Sequence, residues 1–264
     1  MSEQDLPLVS IVTPSFNQAP YLEETIRSVL EQDYPRIEYI VIDGGSADGS
    51  VSIIKKYADK LAWWISEVDR GQTDAIKKGF GRAKGKFLAW LNSDDTYQPG
   101  AVSAAVKYLQ ENPAVGMVYS DCNFIDEDNR VIGKFDAAQT DYKRLRRGYV
   151  HIPQQTTFFR AGLWHTVGPL DPSFYFAMDY DLWVRIASRA EIKYLPGQTW
   201  ANFRIHASGK TIAADDRCWP EMLCVHYRDG GNIFAVIVAK YFIRKMIAPL
   251  WNWRRRRKLK PLKN

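Results

Sequence analysis

Between residues 8 and 119 the apolar residues keep switching between two spacings, and this alternation constrains the fold more than any other feature of the chain. Leu8–Thr13 is a short continuous apolar run, as a buried strand requires. Tyr21–Leu30 places Leu22, Ile26, Val29 and Leu30 on one helical face. The same exchange recurs along the chain. Strands are predicted at Ile37–Ile42, Leu61–Ile65, Phe87–Leu91 and Val115–Tyr119, and helices from Ser50 to Tyr57, over Asp74–Ala83 and over Gly100–Gln110. Strands alternating with helices imply βαβ units, hence an α/β fold with a mostly parallel, doubly wound sheet.

Such sheets bind ligands beyond the carboxyl ends of their strands. The stretches following the first four strands are "TPSFN", "DGGSADGS", "EVDRGQTDA" and "NSDD". All are polar, and the topology brings them to one edge. Past Asp121 the rhythm changes. A hairpin is expected to turn at Asp128–Asn129, a short basic helix to span Asp141–Arg147, a strand to span Thr156–Arg160, and "MDYDLWVRIASRA" to form a helix with Leu182, Ile186 and Ala187 inward. No repeat or linker separates the halves, so the second half is read as fused to the first.

Composition matters here mainly through its distribution. The net charge is +6, yet residues 240–264 hold ten of the 36 basic residues and no acidic one. That leaves 26 basic against 30 acidic residues before them, a mildly acidic body with a basic tail. A nucleic-acid footprint spread over the fold is therefore not expected. "NIFAVIVAKYFIRKMIAPLW" is interrupted by Lys240, Arg244, Lys245 and Pro249, which suits an interfacial helix better than a membrane span. The "RRRRKLK" that follows suits anionic lipid. Three cysteines without framework spacing, and a start lacking a signal-peptide pattern, suggest a reduced cytosolic chain with buried thiols.

Candidate chemistry sits in the loops. Asp43 ends the second predicted strand. Its carboxylate could accept from a nucleotide's ribose or base, with Gly44 and Gly45 permitting close approach, or it could build an Asx-turn. Gly71 and Gln72 open a helix that could meet an anion or sugar hydroxyls, whereas Asp74 could simply complement the helix dipole. Asp94 and Asp95 are adjacent like charges at a strand end, tolerable in a solvated turn or around a divalent cation that also binds substrate phosphates. Of Asp179 and Asp181, one could be a general base and the other a cap or a partner of Arg185. His206 is either structural or a ligand near phosphate and metal. Trp164, Trp183, Trp200 and Trp219 could stack on a sugar or fill the core. No strand is followed by a dinucleotide-type glycine pattern, which argues against a redox cofactor.

Taken in order, "VSIVTPSFNQ…VIDGGSADGS…DRGQTDAIKKGF…WLNSDD…MDYDLWVRI…FRIHASGKT" resembles family 2 of the inverting glycosyltransferases, of bacterial surface-polysaccharide type, from about Val9 to about Thr211. The resemblance implies a GT-A fold in which residues 1–121 bind the nucleotide-sugar donor, 122–230 form the acceptor and catalytic half, and 231–264 form an amphipathic basic tail. It implies that Thr13, Pro14, Ser15 and Asn17 surround the nucleotide, with Gly44, Gly71, Gln72, Asn92 and Ser93 also on the donor side. Asp43 would hold base or ribose. Asp95 would be the direct ligand of a Mn²⁺ or Mg²⁺ ion, with Asp94 nearer the ribose and diphosphate, and His206 would approach the metal. Asn92 stands where many members carry the first aspartate of this element. Asp179 occupies the place of the catalytic carboxylate, with Met178 at the usual acidic position before it. The implied enzyme moves a sugar from a nucleoside-diphosphate sugar to a hydroxyl of a saccharide or lipid-linked saccharide acceptor. It would work in the cytoplasm, peripheral to the inner face of the plasma membrane. A non-catalytic nucleotide-sugar-binding protein is the alternative.

Overall fold

The structure is a computed structural model that describes residues 5–207, 209–210, 218–243 and 245–246. The predicted alternation is present as β1 (Val9–Ser15), α1 (Ala19–Leu30), β2 (Ile37–Asp43), α2 (Ser50–Lys56), β3 (Trp63–Ser66), α3 (Gln72–Arg82), β4 (Phe87–Trp90) and, after the two-residue β5 (Thr96–Tyr97), α4 (Ala101–Glu111). Parallel pairing runs β3–β2–β1–β4. Their carboxyl ends therefore lie along one edge, as expected.

The period-2 geometry of the strands explains why helices cover both faces. Ile11, Val41 and Ala89 pack with Leu22, Ile26, Val102 and Leu109 of α1 and α4. Their neighbours Val12, Ile40, Ile42 and Trp90 pack with Ile76 and Phe80 of α3 on the other side. Gly79 allows α3 to lie close to β1, since a Cβ there would stand 2.4 Å from Val12 Cγ1.

The second half departs from the expected pattern. β6 (Val115–Ile125) is far longer than the predicted strand and makes the anticipated hairpin with β7 (Val131–Lys134), Asn129 taking a φ of 66° in the turn. The helix expected over Asp141–Arg147 shortens to α5 (Tyr142–Leu145), with the Asp141 side chain capping Arg144 N. β8 (Phe158–Arg160) inserts antiparallel between β4 and β6, so the run of parallel pairing is interrupted at the centre of the sheet. α6 (Ala161–Val167) follows it directly and was not anticipated. α7 (Met178–Ala187) buries Leu182 and Ile186, and Ala187 partly. β9 (Glu191–Arg204) then pairs parallel with β6 and antiparallel with β5. That return of the chain carries Arg204 and His206 to the edge where β4 ends. α8 (Cys218–Arg228) packs against α7.

One compositional expectation needs correction. Cys122 is buried, but Cys218 is partly exposed and Cys224 exposed, so the thiols are not uniformly core. Trp164, Trp183 and Trp200 are core residues. Among the described residues no helix is long and apolar enough to cross a membrane. The arginine cluster of the tail lies outside the described residues.

Candidate active site

At the carboxyl edge of β1–β4 a cavity of about 880 Å³ opens, within the size range of small-molecule sites. Pro14, Ser15, Gly44, Gly71, Gln72, Asn92, Ser93, Asp94 and Asp179 all line it, so residues from five segments of the sequence meet in one cleft. Thr13, Asn17, Asp43, Asp95 and His206 do not line it, and each has a physical reason.

Thr13 points between strands, its hydroxyl 3.0 Å from the Tyr39 hydroxyl. Asn17 takes a φ of 50° and accepts from Ala47 N at 3.0 Å, bracing one loop on the next. Asp43 is fully buried. Its carboxylate accepts from Gly45 N, Ser46 N and the Ser46 and Ser66 hydroxyls, at 2.5–3.1 Å. This is the Asx-turn alternative, extended by a weld to β3, and its oxygens are already occupied. The carboxylate that does face the cleft here is Asp69, which the sequence reading passed over. It accepts from Gly71 N at 2.7 Å, and a Cβ on Gly44 would lie 3.0 Å from its Oδ2. Its place in the D-x-G that follows β3 was the available signal.

The adjacent aspartates turn opposite ways. Asp94 faces the cleft, and its Oδ2 lies 3.0 Å from His206 Nε2. Asp95 is fully buried and receives Arg204 N at 3.0 Å, Gln155 Nε2 at 3.0 Å and Asn92 Nδ2 at 3.2 Å. Where the sequence led to Asp95 as the direct cation ligand, its oxygens in this structure accept from inside the protein, and Asp94 is the member of the pair that faces the cleft. Burial, with the Asp94 charge next door, pushes its pKa well up, while the three donors oppose that rise.

Arg204 holds this turn in place. Its guanidinium is almost fully buried and donates to Asp94 O at 2.9 Å, Asp126 O at 3.0 Å and Glu24 Oε2 at 2.8 Å, and it stacks over the Tyr21 ring. Replacing it with methionine leaves two part-buried carbonyls without these donors. Arg204→Met is expected to lower stability by about 3 kcal/mol, at about 1–3 kcal/mol per unsatisfied group, read from urea denaturation.

Across the cleft, Asp179 begins α7. Its Oδ1 accepts Tyr180 N at 2.7 Å. Burial raises its pKa, with the Tyr180 amide and the Lys210 charge pulling the other way. The approach to α7 is fixed by Glu221 of α8, whose carboxylate accepts Tyr175 N, Phe176 N and Ala177 N at 2.7–3.1 Å. Asp181 is structural: it is fully buried and pairs with Arg185 at 2.8 Å and with Arg228. Lys210, also missed, lines the cleft and donates to Gln72 Oε1 at 2.8 Å. Gln72 Nε2 in turn donates to Asn92 Oδ1 at 2.7 Å. Burial lowers the Lys210 pKa to about 8, against the opposing pull of Asp179 and Glu221.

Among the described residues there is no group of three or more His, Cys, Asp or Glu side chains that could hold a metal ion. The pair Asp94 and His206 nevertheless fits a cation that relies on substrate. Two neighbouring ligands at about 2.1 Å from an octahedral ion stand about 3 Å apart, and such ions take few protein ligands plus phosphate oxygens and water. The separation of Asp94 Oδ2 and His206 Nε2 is 3.0 Å.

The sequence matches the profile "Glycosyl transferase family 2" over residues 10–178. An uncharacterised glycosyltransferase of Rickettsia prowazekii is 31% identical over 216 residues, covering 79% of this chain and 67% of that one. A PGL/p-HBAD biosynthesis glycosyltransferase of Mycobacterium bovis is 26% identical over 261 residues, 95% and 99% of the two chains. Among solved structures, S. aureus TarS 1–349 in complex with UDP-GlcNAc superposes with a TM-score of 0.70 at 17% identity, covering 90% of this chain and 72% of that one. The mannosyltransferase PcManGT of Pyrobaculum calidifontis, in complex with GDP-Man and Mn²⁺, gives 0.66 at 21% identity, covering 91% and 70%. The fold is GT-A.

Proposed function

The chain belongs to glycosyl transferase family 2, and from that premise we propose that it transfers a sugar, with inversion, from a nucleoside-diphosphate sugar to an acceptor hydroxyl. The observation that carries the reading is that Asp179 and Asp94 face one cleft from unrelated segments. Asp69 and the backbone at Gly44 would receive the nucleoside. Asp94 and His206 would hold the cation. A bound cation would neutralise charge developing on the leaving diphosphate, so no protein acid is needed there. Lys210, tethered through Gln72, adds a positive charge beside the same group. Asp179 Oδ1 is held by Tyr180 N, leaving Oδ2 to take the acceptor proton. The acceptor oxygen then bonds to the anomeric carbon as the bond to diphosphate breaks, and the configuration inverts. A raised pKa makes the Asp179 carboxylate a stronger base than an exposed one.

The reading assigns residues 1–121 to the donor, 122–230 to acceptor and catalysis, and 231–264 to a basic tail. TarS is solved with UDP-GlcNAc and PcManGT with GDP-Man and Mn²⁺, which supports a nucleotide-sugar donor and a divalent cation here. The test is a thermal-shift panel of UDP, GDP, dTDP and CMP with Mn²⁺, Mg²⁺ or EDTA. One nucleoside diphosphate is expected to stabilise the protein by several degrees only with metal. Absence of metal-linked stabilisation by every member overturns the donor assignment.

The tail supports a site of action at the cytoplasmic membrane face, on a saccharide or lipid-linked saccharide acceptor; a mycobacterial relative is named for PGL/p-HBAD biosynthesis. Phe234, Phe242, Ile243 and Met246 are exposed, and the basic cluster follows them in sequence. Flotation with vesicles containing anionic lipid is expected, and is expected to fail for neutral vesicles and for a chain ending at residue 232. Equal flotation with neutral vesicles contradicts the electrostatic part of this assignment.

A further inference from the structure

The two sides of the cleft differ in chemistry. On the donor side Ser15, Asp69, Gln72, Asn92 and Asp94 present polar groups. The side formed by residues 150–152, 176–178 and 222 presents Val150, Ile152, Phe176, Met178 and Met222. Lys210 borders this side, its Nζ 4.1 Å from the Tyr175 ring centre and 5.7 Å from that of Phe176, and donates to Gln72; three further adjoining polar side chains are engaged within the protein. Gln154 Nε2 donates to Trp90 O at 2.7 Å while its Oε1 accepts from Asn92. Gln155 donates to Asp95, and the Tyr180 hydroxyl donates to Leu145 O at 2.6 Å. A pyranose laid on this surface would lose water from hydroxyls that gain no partner, which is unfavourable. An alkyl, prenyl or aryl group would gain from the same contact.

We infer that the acceptor carries a hydrophobic aglycone next to the hydroxyl that receives the sugar, and that Val150, Ile152, Phe176 and Met222 seat it. The inference rests on the transferase reading, because Asp179, directly after Met178 on this side, is the proposed base and so marks where the reacting hydroxyl sits. A second observation concerns where the apolar surface leads. Val150 follows Gly148 and Tyr149, and the helical segment 236–243 packs on both. A Cβ on Gly148 would stand 2.6 Å from Ile237 Cδ1, and Lys240 Nζ lies 5.5 Å from the Tyr149 ring centre. That same segment turns Phe242 and Ile243 outward, with Phe234 just before it 90% exposed. The apolar side of the cleft therefore adjoins an exposed apolar surface, a route for a chain held in a lipid layer. Clustered exposed apolar residues mark such contacts, whereas scattered ones do not.

The probe is n-decyl β-D-glucopyranoside with a diazirine at the chain end, used below its micelle concentration and mapped by peptide mass spectrometry. Label is expected on peptides covering residues 148–153, 174–178 and 218–228. Unlabelled decyl glucoside is expected to compete roughly 100-fold better than methyl glucoside, below the ceiling of about fourfold per buried methylene. Val150→Asp with Met222→Gln, two partly exposed positions, is expected to cut cleft labelling at least fivefold. Label confined to residues 233–246, label scattered over the surface, or equal competition by methyl glucoside overturns the inference. Metal-linked nucleotide stabilisation is measured on the same samples. If it persists while the cleft stays unlabelled, only the aglycone seat falls. If it is absent while the cleft is labelled, the seat stands and the donor reading falls.

Discussion

With Asp179 as the proposed base, Asp179→Asn is expected to lower turnover by about 10³-fold, within the range for a general base, and to leave metal-linked nucleotide binding unchanged. Asparagine keeps the shape and retains an acceptor for Tyr180 N, so α7 starts as before. What disappears is the only step in which a proton leaves the acceptor. A nucleotide-sugar-binding protein without catalysis would show no change in any property, so unaltered behaviour of the variant favours that alternative. The pH profile separates the base from a structural carboxylate. Asp179 must be ionised to act, and burial has raised its pKa, so kcat/KM falls with decreasing pH from a point above the ordinary carboxylate range. At the other end Lys210 must be charged to favour diphosphate. Its pKa is lowered to about 8, so the alkaline limb begins near that pH. Lys210→Met removes the alkaline limb and leaves the acid one. An acid limb surviving in Asp179→Asn assigns the base elsewhere.

The alternation of strand and helix, and the convergence of four polar loops, were legible because they depend on local spacing and on the direction of parallel strands. What was not legible depends on partners distant in sequence. The choice between Asp94 and Asp95 is made by Arg204, whose amide reaches Asp95 from 109 residues away, and by Gln155, 60 residues away. Neighbouring residues in a turn point to different sides, so the doublet indicated a site without saying which member faces it. Asp43 was equally ambiguous, because the Ser66 hydroxyl that helps saturate it belongs to another strand. The three-residue β8 is too short to show a period, yet it makes the sheet antiparallel at its centre. Lys210 looked like any surface lysine until the packing of Gln72 and Tyr175 around it was known.

The opposite environments of the two aspartates lead to opposite phenotypes for one substitution. Asp94→Ala removes a side chain that faces the cleft and touches His206. The protein is expected to fold with near-normal stability and to lose the Mn²⁺-dependent stabilisation by nucleoside diphosphate almost completely, since one of the two proposed ligands is gone. Asp95→Ala removes an acceptor on which three buried donors converge, from Asn92, Gln155 and Arg204. At about 1 kcal/mol for each, the loss is about 3 kcal/mol, and the melting temperature falls by about 6–12 °C for a chain of this size. The Asp95→Ala protein that remains folded at low temperature still has Asp94 and His206, so its metal-linked nucleotide shift survives, reduced only as far as the turn loosens. Measuring both quantities on both variants decides the assignment. If Asp95→Ala instead abolishes the metal response at unchanged stability, Asp95 turns towards the cation when substrate binds, and the division of roles drawn here is reversed.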